Sequence, residues 1–128
     1  MSMKGSATLA VAFAGAFFAI GLPYWQIPYS QASLPSDIWG PGLLIVGALA
    51  AIPRVVSATR FWRTFLVIGA SVPAAVLARV VVETSSDPTS HNLWPLEIVL
   101  SAGPGFLAAA VGALVGGFLV RLVRTGGA

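Results

Sequence analysis

The chain has 128 residues, of which 57% are hydrophobic and only 9% charged, and its mean hydropathy is +0.90. A soluble domain carries about 25% charged residues, so this is a single domain whose solvent is mostly lipid. Its net charge of +3 comes from seven Lys and Arg scattered between apolar stretches, which excludes the continuous basic face a nucleic acid requires; the absence of cysteine excludes disulfides, thiolate metal sites, iron–sulfur clusters and cysteine nucleophiles.

Crossing the hydrocarbon core takes about 20 apolar residues. Four stretches approach that length: 7–22, 35–52, 64–82 and 96–120. The first ends at Pro23 and the second at Pro53. Bulky residues follow Gly21, so the first stretch reads as a retained span rather than a cleaved signal. Irregular backbone exposed to lipid is not tolerated, so the spans are expected to be helices. Alternation with period two is absent, which argues against a barrel. The fold class expected is therefore an all-α integral membrane protein, with four transmembrane helices in a small bundle over residues 1–128. Outer loops cover 23–34 and 83–95, and an inner loop covers 53–63.

Orientation follows from the basic residues. Lys4 precedes the first span, Arg54, Arg60 and Arg63 fall between the second and third, and Arg121 and Arg124 follow the fourth. With four spans these places share one side, and the positive-inside rule makes it the cytoplasm. Both termini are then expected inside a bacterial-type inner membrane. Asp37, Glu83, Asp87 and Glu97 gather on the other side. The bordering arginines Arg54, Arg60 and Arg63 suit anionic lipid heads or a cytoplasmic subunit.

The fourth span is rich in small residues. Gly112 and Gly116 form a GxxxG, and Gly105, Ala109 and Ala113 continue a stripe; the first span has Ala12 and Ala16, and Gly15 and Ala19. Such faces let helices approach closely in lipid. They serve packing within one bundle or an interface between subunits. Pro41, Pro73 and Pro104 lie inside apolar stretches and are expected to kink their helices.

Arg79 is the exception to the segregation of charge. A positive side chain costs about 2.5–3.5 kcal/mol at a bilayer centre on insertion scales. It stands three residues before Val82, about 4.5 Å below that end of the span, where it can snorkel outward. Glu83, four residues on, lies on the same face and permits an ion pair. Glu97 opens the fourth helix and Asp37 the second, where carboxylates also suit the helix dipole. Two readings follow: a structural latch, or an outer pocket of Arg79, Glu97, Asp37 and Glu83 with His91. The interfacial aromatics Trp39 and Trp94 border that face, as an aromatic belt does. One histidine without cysteine makes a poor zinc site, so no metal and no cofactor are expected. No nucleophile elbow or phosphate-cradling glycine loop exists, and catalysis is not expected.

The functional expectation is a non-enzymatic inner-membrane protein, a small subunit of a transport or membrane complex that binds a partner or small polar or anionic solute at its outer face. Its partners would be membrane lipids and other membrane subunits or copies of itself. Alternatives are a homo-oligomeric channel or carrier, and a small lipid- or quinone-site enzyme.

Overall fold

The computed structural model describes residues 3–27, 40–86 and 94–126. All its regular structure there is helical: α1 (Met3–Trp25), α2 (Pro41–Val56), α3 (Phe61–Ser86) and α4 (Trp94–Gly126). Three of these contain apolar segments long enough to cross a membrane: Gly5–Trp25, Phe61–Ser86 and Pro95–Arg124. The 16 residues of α2 extend about 24 Å, short of a hydrocarbon core of about 30 Å.

The helices form a square in cross-section. α1 packs on α2 and α3, α4 packs on the same two, and α2 meets α3 more sparsely across the diagonal. Among the described residues α1 and α4 do not meet. Contacts fix the directions. Arg63 reaches Ser6 at one end and Arg79 reaches Tyr24 at the other, so α1 and α3 are parallel. Gly112 lies on Gly47 and Gly116 on Ala51, so α2 and α4 are parallel too. Gly15 meets Leu49 while Gly42 meets Ile20, which makes α1 antiparallel to α2. The bundle thus has a basic end, with Arg54, Arg60, Arg63, Arg121 and Arg124, and an acidic end with Glu83 and Glu97.

Each helix turns one stripe inward: Leu9, Ala12, Ala16, Ile20 and Tyr24 on α1, Leu43, Val46 and Ala50 on α2, Ile68, Val72, Val76 and Val80 on α3, and Ala109 and Ala113 on α4. The outer faces are equally apolar, and Leu44 is 78% exposed. That is the pattern of helices surrounded by lipid, where polar outer faces are not required. Buried Ser71 and Ser101 donate to the carbonyls of Ile68 and Ile98, three residues back, which satisfies both hydroxyls inside the bundle.

The prolines act differently from one another. Pro41 is the first residue of α2, where a missing N–H costs nothing because that donor has no intrahelical partner. Pro23 and Pro53 do not end their helices; α1 and α2 continue past them to Trp25 and Val56. Pro73 and Pro104 lie inside α3 and α4. A proline inside a helix deprives the carbonyl four residues back of its donor. For Pro73 that carbonyl is Gly69, and a methyl group on Gly105 of α4 would stand 2.9 Å from its oxygen. For Pro23 it is Ala19, and a methyl on Gly42 of α2 would stand 3.3 Å from it. Both freed carbonyls therefore face a neighbouring glycine backbone rather than lipid, which is how a membrane helix tolerates proline.

The small stripe of α4 is used within the chain. A side chain on Gly112 would overlap the Gly47 backbone, and one on Gly116 would come within 2.6 Å of the Ala51 carbonyl oxygen. The GxxxG is thus the seat of α2, closing the bundle.

Candidate functional site

The acidic end is organised around Arg79. α3 carries it on the inward stripe one turn beyond Val76, and the parallel α1 ends beside it. Its Nε donates to Glu83 Oε1 at 2.9 Å, an i,i+4 ion pair along α3. Its Nη1 donates to the Tyr24 carbonyl at 2.7 Å, and Nη2 donates to the Ile27 carbonyl. The guanidinium also lies over the Tyr24 ring, 4.7 Å from its centroid, within range of a cation–π attraction. The last carbonyls of a helix lack intrahelical donors and carry its negative dipole end. Arg79 therefore adds a full positive charge at the C-terminal end of α1, sharing the Tyr24 carbonyl with the Ile27 N–H. It is 5% exposed, buried against partners that lie toward the acidic end of the bundle.

Trp25 completes the junction. Its indole N–H donates to the Ala75 carbonyl of α3 at 2.9 Å, and its ring meets Phe17 and Phe18 edge-on. Gly21 makes this possible, because any side chain there would occupy the space of the Trp25 ring. A recess of about 370 Å³ opens beside this junction, lined by Trp25, Ala78, Arg79, Val82 and Glu83. Its walls are mostly hydrocarbon, with the Arg79–Glu83 pair at one edge.

Of the residues expected at an outer site, Arg79 and Glu83 are brought together. Glu97 lies in the first turn of α4 and takes none of Arg79's bonds, which go to Glu83, to the Tyr24 carbonyl of α1 and to the Ile27 carbonyl just past it. Asp37, Trp39 and His91 lie outside the described residues, as does the side chain of Trp94. Among the described residues no three His, Cys, Asp or Glu side chains gather as metal ligands do. The sequence reading missed the roles of Tyr24 and Trp25. Their main-chain and indole contacts depend on where α1 stops beside α3, and no local pattern encodes that. Fold and site together define a small helical membrane protein with a capped junction at one end. No protein-family model, curated protein or solved structure matches this chain.

Proposed function

We propose that the chain is a non-catalytic, multi-pass subunit of a transport or other complex of the inner membrane, with both termini cytoplasmic, and that it docks a partner segment at its acidic, outer end. The observation that carries this reading is the recess beside Trp25, Val82 and Glu83. Each of the three guanidinium nitrogens of Arg79 already donates within the chain. The recess therefore favours an apolar side chain of a partner over a free anionic solute. A small bundle also has little room to enclose a pathway alone, which favours assembly.

A second reading is a homo-oligomeric channel or carrier. It is favoured by a groove of about 360 Å³ between α2 and α4, lined among others by Leu44, Ala48, Leu107, Val111 and Val115, into which a helix of a second copy would fit. One experiment separates the two. A photo-crosslinking amino acid is placed at Val82 or at Leu44 and irradiated in native membranes. The first reading expects a cross-link to a different protein from Val82. A self-cross-link from Leu44, together with solute flux in proteoliposomes of the chain alone, supports the second. If Val82 captures only lipid, the docking reading fails.

A further inference from the structure

The basic end holds a second recess, which the outer-face reading does not use. It measures about 280 Å³ and lies between the C-terminal parts of α2 and α4, lined by Arg54, Ala58, Thr59, Gly117, Val120, Arg121 and Arg124. Three of these seven residues are arginines and none is acidic. We propose that this recess binds a phosphate group, as carried by an anionic lipid headgroup or by free phosphate.

Three observations support this. Arg54 is held in place before any ligand arrives: its Nε donates to the Ala113 carbonyl at 3.0 Å and its Nη1 to the Thr59 carbonyl at 3.0 Å. A guanidinium fixed through two of its three nitrogens has only Nη2 left to donate to a phosphate oxygen, as a single charge-assisted bond. Gly117 is what admits that nitrogen. A side chain at Gly117 would overlap Nη2 of Arg54, so the glycine leaves the space the guanidinium occupies. Finally, Arg121 and Arg124 are one and two turns further along the same helix, both exposed at the recess.

The opposing effect is the dipole of the two parallel helices, whose C-terminal ends both point this way. Each contributes about half a negative charge. The three guanidinium groups lining the recess carry more positive charge than these two dipole ends carry negative. The Thr59 and Thr64 hydroxyls are bonded to each other at 2.7 Å, and Thr64 donates onward to the Arg60 carbonyl. This network fixes the floor under Arg54.

The test uses the full chain purified in a neutral detergent. It is titrated with inorganic phosphate in one arm, and with a soluble short-chain phosphatidylglycerol in the other, with phosphatidylcholine as the reference lipid. Binding is read by native mass spectrometry and by calorimetry. Expected is saturable binding of the anionic lipid above the reference, weakened about tenfold or more by losing charge-assisted hydrogen bonds in the double variant Arg121→Gln/Arg124→Gln and in Gly117→Ala. The first alters exposed side chains, and the second meets the Arg54 guanidinium before any backbone, so both are expected to fold. Phosphate binding with the same variant pattern identifies a site for the phosphate group itself; lipid binding alone identifies a headgroup site that also needs the acyl chains. The control is Arg60→Gln/Arg63→Gln, which removes equal charge from the same end but outside the recess. Equal loss in the control, unchanged binding in the recess variants, or no binding in either arm overturns the proposal.

Discussion

At the scale of the residue, Arg79 shows how a membrane bundle retains a buried charge. Its neighbours offer one carboxylate, one carbonyl in the last turn of α1, one carbonyl just past that helix, and an aromatic face. Removing the guanidinium leaves the Tyr24 carbonyl with only the Ile27 N–H and takes the charged donor from the Ile27 carbonyl, and hydrogen bonds to charged groups contribute about 1.5–3 kcal/mol each. Arg79→Leu is therefore expected to lower stability by about 2–3 kcal/mol, read as the shift of a denaturant unfolding midpoint in detergent. Glu83→Gln should lower it by less than about 1 kcal/mol, because the Glu83 side chain is 30% exposed and keeps access to solvent. Equal effects from both would mean that the ion pair, not the helix cap, is what Arg79 supplies. Glycines give an equally sharp contrast. Gly112→Ala overlaps the α2 backbone and is expected to cost about 1–3 kcal/mol through overpacking. Gly103→Ala meets no other helix within 4 Å; crowding against the following Pro104 offsets alanine's better helix propensity, and the change is expected to stay within about 1 kcal/mol.

At the scale of the element, α2 is the unusual helix. It starts on Pro41, after an extended Gly40 that offers no side-chain cap. It ends where Ala58 adopts φ 52°, the left-handed turn that glycine usually provides. Ser57 and Thr59 both return their N–H groups to the Pro53 carbonyl there. Replacing Ala58 with glycine relieves the left-handed strain and is expected to raise the unfolding midpoint by about 0.5–1 kcal/mol equivalent; a lowered midpoint would show that the turn needs its methyl group. Between its ends α2 is held by the glycines of α4 on one side and by Leu49 against Gly15 of α1 on the other. Tight backbone packing thus compensates for its shortness.

At the scale of the whole molecule, the two ends differ in charge because α1 and α3 run one way and α2 and α4 the other. Single cysteines test the proposed orientation directly, since the chain has none of its own. With the basic end cytoplasmic, Ser6→Cys and Arg124→Cys are expected to react with a membrane-impermeant maleimide only after the membrane is opened. Ser86→Cys should react from outside in intact cells. Labelling of all three from one side would remove the inside-out arrangement.

The sequence alone determined what is local and compositional. Apolar stretches bounded by charge led to four helices, the spacing of Arg79 and Glu83 led to their ion pair, and the distribution of arginines separated the two ends. Only the tertiary structure decided which helix meets which, that Arg79 caps α1 rather than facing Glu97, that Pro23 and Pro53 are passed through, and that Gly112 and Gly116 seat α2. It also drew Arg54, Arg121 and Arg124 around one recess, although they are distant in the chain. The physical reason lies in the solvent. A helix in water advertises its buried face by being polar on the other, whereas here both faces are apolar and periodicity carries almost no record of which side packs. The choice of neighbours then rests on close backbone fit and on where freed carbonyls find donors, and these exist only once the helices are side by side.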